Sequence, residues 1–175
     1  MDALETKRLI IRPWRESDFG EYFEYSANPL VGLMAGWKPH KSRAEAKNYF
    51  DRLRRKDCAF AIVLKSSKKV IGNIGLYSTS LTKGTGALRT REIGYALNPE
   101  FWHCGFMTEA AFKVLEVAKK ALLLDAVLAG VFDCNLRSRA LLERLGFGYC
   151  FSREWTTDKD IFCDVTSEMF YLIVL

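Results

Sequence analysis

The region that most constrains the fold is a strand-like run, EIGYAL at residues 92–97, joined by a short loop to an amphipathic helix. The dipeptide Asn98-Pro99 ends the run, because proline cannot donate to a strand ladder. After Gly105, apolar residues recur three and four positions apart, at Met107, Ala110, Ala111, Val114, Leu115 and Ala118. A helix with one apolar face needs a flat apolar surface to cover. The chain is therefore expected to pack helices on a β-sheet.

Apolar runs elsewhere in the chain predict the remaining strands. RLIIRPW near the start is one, and AFAIVLK and KVIGNIGLY form a hairpin around Ser66-Ser67-Lys68. DAVLAGVFD predicts a buried strand, and residues 147–155 and 161–175 predict the last two. The predicted order, β-α-α-β-β-β-α-β-α-β-β, is an α/β (α+β) arrangement with a mixed sheet. No internal boundary is visible, so a single domain over residues 1–175 is expected.

Capping patterns predict where three helices begin. Asp18 with Glu21, and Ser42 with Glu45, have the spacing of a capping box, and Asn135 is a good N-cap for LRSRALLERL. Residues 31–41, punctuated by glycine and proline, are expected to form a loop that carries apolar side chains.

Composition excludes several classes of protein. With 49% hydrophobic residues in 175, the chain can bury a core, and its longest apolar runs fall short of the roughly 18 residues of a membrane span. The first residues contain no apolar signal core, so a cytoplasmic location is expected. Five irregularly spaced cysteines and two distant histidines predict reduced thiols, with no disulfide framework and no metal site.

The net charge of +5 suits a phosphate-rich ligand but is also common on surfaces without an anionic partner. No recognition motif supports nucleic-acid binding. The loop before the long helix is more specific, because backbone N–H groups at a helix N-terminus attract phosphate. Gly105 would let a ligand approach the main chain, and the hydroxyl of Thr108 would add a donor. The alternative is that Gly105 only makes a turn.

The stretch IGYALNPEFWHCGFMTEA, residues 93–110, resembles the cofactor loop of GNAT acetyltransferases. It is most similar to the RimJ/RimL-like branch of ribosomal-protein N-acetyltransferases, which reads I-G-Y-x-L-x-P-x-x-W-G-x-G-Y-A-T-E-A. The segments ETKRLIIRPWRESD, KVIGNIGLY and NLRSRALLERLGF also resemble that branch. The resemblance implies the GNAT fold, a mixed and mostly antiparallel central sheet flanked by helices. It also implies direct transfer of the acetyl group of acetyl-CoA to a primary amine.

The resemblance also assigns the cofactor-binding residues. Tyr95, Ala96 and Leu97 would pair with the pantetheine arm as an extra strand does. Asn135 would contact the same arm, and Ser138 would lie near the sulfur and return a proton to the thiolate, although both residues also suit simple helix capping. The pyrophosphate would be held by the main-chain amides of His103, Cys104, Gly105, Phe106, Met107 and Thr108.

This sequence departs from the family pattern at several of these positions. The loop normally carries Gly at 103, Lys or Gln at 104, and Ala or Gly at 107, whereas this chain has His103, Cys104 and Met107. A neighbouring branch places a tyrosine acid where Leu142 stands here. Cys104 is not expected to act as a nucleophile, because family members transfer the acetyl group directly.

The reaction needs a base, because an alkyl amine is largely protonated near neutral pH. Related enzymes carry a carboxylate at the position of Glu92, and RimL-like enzymes use one in the segment of Glu154. Each of these residues is otherwise a solvated carboxylate at a strand end.

The expected acceptor is a protein N-terminal α-amine of the ribosomal-protein type. A small amine or antibiotic is the alternative acceptor, and a non-catalytic acyl-CoA-binding regulatory domain is the alternative class. Residues 31–41, 78–88 and 153–160 would decide the acceptor, and both a monomer and a homodimer stay open.

Overall fold

The computed structural model describes residues 3–79, 88–156 and 165–175. Its strands form one mixed, mostly antiparallel sheet flanked by helices, in the order β1-β2-β3-β4-β5-β6-β8-β7. The strands are β1 (Leu4–Glu5), β2 (Leu9–Pro13), β3 (Ala59–Leu64), β4 (Val70–Tyr77), β5 (Thr90–Leu97), β6 (Ala126–Phe132), β7 (Gly148–Glu154) and β8 (Ser167–Val174). The helices are α1 (Phe19–Ser26), α2 (Pro29–Gly32), α3 (Arg43–Arg54), α4 (Phe106–Lys120) and α5 (Leu136–Arg144).

One of the described ladders is parallel, and the others are antiparallel. β1 with β2, β2 with β3, β3 with β4, β6 with β8, and β7 with β8 are antiparallel. β5 pairs with β6 in parallel, through Thr90, Arg91 and Glu92 opposite residues 126–128. The parallel ladder is therefore short, and it ends at Glu92.

The chain divides into two compact units, and the first comprises Met1–Gly75 with Tyr95–Lys113. Its core includes side chains of β2, β3 and β4. Buried residues alternate with half-buried or exposed ones in β2, whereas burial is nearly continuous along β3 and β4. Aromatic rings of α1 and α3 pack together, with Tyr22 and Phe50 at 5.1 Å between ring centroids. An ion pair between Arg12 and Asp18 is buried in the same unit, with Nη1 and Nη2 of Arg12 donating to the carboxylate at 2.7 and 2.8 Å.

The second unit comprises Leu76–Gly94 with Val114–Leu175. β6 is buried along most of its length, and β8 pairs with it from Glu168 to Val174. Asp133, directly after β6, accepts hydrogen bonds from the backbone N–H groups of Thr166 and Ser167 and from the Thr166 hydroxyl. This carboxylate fixes the start of β8 to the end of β6.

The predicted fold class, a mixed sheet with helices packed on it, is confirmed, and the order of elements is confirmed with two additions. β1 has two residues and α2 has four, and both are too short to leave a periodic pattern in the sequence. The prediction of a plain loop at residues 31–41 is wrong at its start. Asn28 caps α2 through the Leu30 N–H, and a 3₁₀ turn follows at residues 33–35.

Two of the three capping predictions are confirmed. Ser42 accepts from the N–H of Glu45 at 3.2 Å, and Asn135 accepts from the N–H of Ser138 at the same distance. Asp18 is the N-cap residue of α1, as predicted, but the predicted cap bond is absent, because its carboxylate is engaged by Arg12 and by the backbone N–H of Arg15. Parts of the predicted segments 78–88, 153–160 and 161–175 lie outside the described residues.

No helix in the described part of the chain combines the length and the apolar character that crossing a membrane requires.

Candidate active site

In the first unit, a tight loop connects the end of β5 to the start of α4. Asn98 ends the strand and caps a 3₁₀ turn at Pro99–Phe101, and the indole N–H of Trp102 donates to the Leu97 carbonyl at 2.8 Å. His103 and Gly105 then take left-handed backbone conformations, with φ of +61° and +76°. Only glycine adopts such a φ without steric cost, so His103 is held there by its surroundings.

The residues of this loop differ in exposure. His103, Cys104 and Gly105 are exposed, whereas Met107 is 8% exposed. The Met107 side chain is thus part of the core and does not occupy the exposed face of the loop. Because α4 begins at Phe106, the positive end of its helix dipole lies at this loop, where it favours an anion.

A cluster of contacts beneath the loop joins it to the chain just before β2. Glu109, in the first turn of α4, accepts from the Thr6 hydroxyl at 2.5 Å, from the Arg8 backbone N–H at 2.8 Å and from Arg8 Nε at 2.6 Å. Arg8 also donates from Nη1 to the carbonyl of Cys104 at 2.9 Å. Its guanidinium lies 4.3 Å from the centre of the Phe106 ring.

Burial by itself raises the pKa of Glu109, but the hydrogen bonds from Thr6 and Arg8 and the Arg8 charge outweigh it. The net result is a pKa below the usual range of glutamate. Glu109 is therefore ionised and fully engaged, as suits a structural carboxylate.

The predicted pantetheine residues lie at the end of β5 in the same unit. Tyr95 is half-buried, and Ala96 and Leu97 are buried. The next residue, Asn98, donates its N–H to the Ile71 carbonyl of β4 at 2.8 Å. The parallel ladder of β5 has already ended at Glu92, before these three residues.

In the second unit, two carboxylates converge over a glycine. Glu92 on β5 and Glu168 on β8 both approach Gly130 of β6: a Cβ placed at Gly130 would lie 3.3 Å from Glu92 Oε1 and 2.8 Å from Glu168 Oε1. The missing side chain at Gly130 leaves the space into which both groups reach. Arg153 on β7 holds the other oxygen of Glu168 from Nε at 2.9 Å and Nη2 at 2.6 Å.

Burial raises the pKa of Glu92, and the negative charge of Glu168 raises it further. A hydrogen bond from Thr79 and the charge of Arg153 act in the opposite direction without reversing the shift. Glu92 thus has a pKa above the usual range of glutamate, which brings it closer to the pH at which a general base is effective.

The other predicted catalytic residues have different surroundings. Glu154 is exposed at the end of β7. Ser138 is half-buried in the first turn of α5, where its N–H donates to the Asn135 side chain. The capping role of Asn135 is therefore present in the structure.

Sequence reasoning missed four residues: Arg8 and Glu109 under the loop, and Glu168 and Arg153 beside Glu92. Arg8 and Glu109 are 101 positions apart, and no periodicity connects them. Glu168 and Arg153 face each other across the β7–β8 ladder, which can be deduced only once the register of the two strands is known. In residues 3–79, 88–156 and 165–175, no three histidine, cysteine or acidic side chains group as a metal site requires.

Comparison with known proteins gives a consistent result. A family profile described as "Acetyltransferase (GNAT) domain" matches residues 8–148. The probable N-acetyltransferase YjcK of Bacillus subtilis is 35% identical over 155 residues, which cover 82% of each chain. Among solved structures, a GNAT-family acetyltransferase from Bacillus anthracis has a TM-score of 0.83 at 20% identity and covers 98% of each chain. The ribosomal-protein-S5-alanine acetyltransferase of Vibrio fischeri has a TM-score of 0.74 at 21% identity, covering 99% of this chain and 97% of that one.

The two structures share the fold, and the profile and the curated relative extend the likeness to the sequence. The chain therefore belongs to the GNAT family of N-acetyltransferases and is an acyltransferase.

Proposed function

We propose that this enzyme transfers the acetyl group of acetyl-CoA to the N-terminal α-amine of a protein, with Glu92 as the general base. The observation that carries the proposal is the environment of Glu92. It is a half-buried carboxylate, it reaches into the space over Gly130, and burial and Glu168 raise its pKa. An exposed strand-end carboxylate would lack these features.

The loop between β5 and α4 fits the diphosphate of such a cosubstrate. Apart from its chain neighbours, the only atom of the described residues within 4 Å of a Cβ at Gly105 would be Nη2 of Arg8, at 3.5 Å, so the main chain is open to close approach there. The amides of residues 103–108 would hold the diphosphate, and the end of β5 would pair with the pantetheine arm. Acetyl-CoA supplies the acetyl thioester, and the family uses it generally.

Glu92 would act by removing a proton from the incoming ammonium group, which cannot attack a carbonyl while protonated. The pKa of an α-amine is about 7.7–8.0, compared with about 10.4 for a lysine side chain. The pKa of a carboxylate with a raised pKa lies closer to that of an α-amine than to that of a lysine side chain, so its proton transfer from an α-amine is less unfavourable. This difference favours an α-amine as the acceptor.

Ser138 would return a proton to the sulfur as the thiol leaves, in keeping with its place in the first turn of α5. Glu154 is the alternative base, in a more exposed position. Cys104 is exposed on the loop and has no role in a direct transfer. Among the described residues, Cys58, Cys104, Cys134 and Cys150 form no disulfide, which suits a reducing compartment such as the cytoplasm.

The name of the Vibrio fischeri structure, a ribosomal-protein-S5-alanine acetyltransferase, supports a protein N-terminus as the acceptor. The similarity of residues 93–110 to the RimJ/RimL-like pattern supports the same branch.

The test is release of thiol from acetyl-CoA with a panel of acceptors: N-terminal peptides of ribosomal proteins, the same peptides with a blocked α-amine and a free lysine, polyamines and aminoglycosides. The proposal predicts turnover with free α-amines and none with the blocked peptides. Turnover confined to polyamines or aminoglycosides would show that the acceptor is a small amine, while acetyl transfer from acetyl-CoA would stand. Tight binding of coenzyme A by calorimetry, without turnover on any acceptor, would favour a regulatory domain.

A further inference from the structure

The guanidinium of Arg8 is held from three sides at the base of the loop before α4. Its Nε pairs with Glu109 Oε2 at 2.6 Å, its plane lies over the ring of Phe106 at 4.3 Å, and its Nη1 donates to the carbonyl of Cys104 at 2.9 Å. Glu109 is held in turn by Thr6 and by the Arg8 backbone. The mechanism proposed above makes no use of this arrangement.

The contact with Cys104 determines the orientation of one peptide group. The peptide between Cys104 and Gly105 is trans, and in a trans peptide the C=O and N–H bonds point in opposite directions. Because Arg8 binds the carbonyl, the N–H of Gly105 is directed away from Arg8. Gly105 is exposed and has φ of +76°, so this N–H lies at the exposed part of the loop.

We infer that Arg8 is a positioning residue for the cofactor loop: by binding the Cys104 carbonyl, it aims the Gly105 N–H at the diphosphate of acetyl-CoA. This inference rests on the proposed function, because it needs the diphosphate at this loop. Arg8 acts through the peptide, so its effect is on cofactor affinity and not on the chemical step.

Arginine is suited to this position in a way that lysine is not. The guanidinium uses Nε for Glu109 and Nη1 for the carbonyl at the same time, in one rigid plane. A lysine ammonium has the same charge but is a single point, and it cannot span both partners in that geometry. The substitution Arg8→Lys therefore keeps the positive charge and removes the simultaneous hydrogen bonds to Glu109 and to the Cys104 carbonyl.

The test compares Arg8→Lys with the wild type in three measurements. Calorimetry with coenzyme A is expected to show about a tenfold loss of affinity, the size expected for one hydrogen bond to a charged group. The KM for acetyl-CoA should rise similarly with kcat little changed. The kcat/KM for S-acetylpantetheine, which lacks the diphosphate, should stay the same.

Arg54→Lys is the matched control. Arg54 is also a partly exposed arginine of the first unit, and its Nη2 pairs with Glu16 at 2.8 Å. Its side chain is 36% exposed, against 41% for Arg8. Arg54→Lys is expected to change none of the three measurements.

Equal coenzyme A affinity in Arg8→Lys and the wild type would overturn the inference, since charge alone would then suffice. Equal losses with acetyl-CoA and S-acetylpantetheine would also overturn it, since the residue would then be merely structural. If the wild type fails to bind coenzyme A, the proposed function itself fails, and this outcome is distinct from the other two.

A measurement on the wild type keeps the inference testable if Arg8→Lys does not fold. The amide resonance of Gly105 should shift strongly downfield when coenzyme A is added, because the N–H gains a charged acceptor. An unshifted Gly105 amide at saturating coenzyme A would overturn the inference.

Discussion

Glu109 and Glu92 are the same residue type in two regions of the molecule, and their pKa values move in opposite directions. Glu109, under the loop before α4, is partly buried but accepts hydrogen bonds from Thr6 and from Arg8, so its pKa falls. Glu92, over Gly130, is more deeply buried and faces Glu168, so its pKa rises. Burial alone does not set the role of a carboxylate, because the donors that oppose burial determine the direction of the shift.

The difference has consequences for stability as well as for chemistry. The lowered pKa of Glu109 means that its contribution to stability is present above the unfolded-state pKa and is lost as the pH falls through the folded-state value. The raised pKa of Glu92 has the opposite sign, and stability is lost as the pH rises through the folded-state value. At neutral pH the ionised Glu109 therefore raises the free energy of unfolding, whereas the ionised Glu92 lowers it, at the position proposed for the general base.

The substitution Glu92→Gln should have the largest effect. It keeps the shape of the side chain and removes its ability to accept a proton, so turnover should fall by about 10²- to 10⁴-fold. Coenzyme A affinity by calorimetry should not change. A fall of less than about threefold would move the base elsewhere, with Glu154→Gln as the next variant to assay.

The substitution Glu109→Ala tests the opposite carboxylate. It leaves Arg8 and Thr6 without their acceptor, so the free energy of unfolding should fall by about 1–3 kcal/mol in urea denaturation. The loss should shrink as the pH drops through the lowered pKa of Glu109.

Glu116→Ala, in the same helix, is the control for Glu109→Ala. Glu116 pairs with Lys120 on the surface, and an exposed pair of this kind contributes about 0.5 kcal/mol or less. Equal losses of unfolding free energy in the two variants would show that the contacts of Glu109 stabilise the protein no more than an exposed ion pair does.

A pair of substitutions around Glu92 should shift the pH profile in opposite directions. Glu168→Gln removes a negative charge that raises the pKa of Glu92, so the acidic limb of kcat/KM should move to lower pH. Arg153→Gln removes a positive charge that lowers it, so the limb should move to higher pH. Both should change the rate at neutral pH by less than about tenfold, and shifts of the same sign would show that charge is not the cause.

The smallest effect is expected at His103. The residue is exposed and left-handed, and Arg8 and Glu109 hold the loop from below. The relief of backbone strain in His103→Gly should nearly offset the greater chain entropy of glycine, so the free energy of unfolding should change by less than about 1 kcal/mol. His103→Val should be clearly more destabilising in the same denaturation assay, and equal stability of the two variants would contradict a strained backbone at this position.

Local patterns predicted the elements of this fold well because each pattern has a local physical cause. The buried runs of β3, β4 and β6 and the apolar stripe of α4 are visible in the sequence, and Ser42 caps α3 as its spacing predicts. Asp18 has the same signature but pairs with Arg12, six positions away, and a buried ion pair outcompetes a cap. Capping spacing alone does not reveal such a competitor.

The candidate site was predictable only in part, because sequence patterns reveal local interactions and not contacts between distant parts of the chain. The loop and Glu92 were found through a motif, whereas their partners come from distant parts of the chain. Arg8 reaches Glu109 across 101 positions, and Glu168 meets Glu92 only because β8 pairs with β6 in one particular register. Strand register follows from tertiary packing, and a single sequence does not specify it.

Gly130 shows how protein engineering can go wrong in this molecule. A glycine inside a strand is roughly 0.5–1 kcal/mol less favourable than alanine, so a redesign that scores only stability would choose to replace it. The new methyl group would lie 2.8 Å from Glu168 Oε1 and 3.3 Å from Glu92 Oε1, and would displace both carboxylates. If Glu92 is the base as proposed, directed evolution for heat resistance should therefore include selection for acetyl transfer in every round.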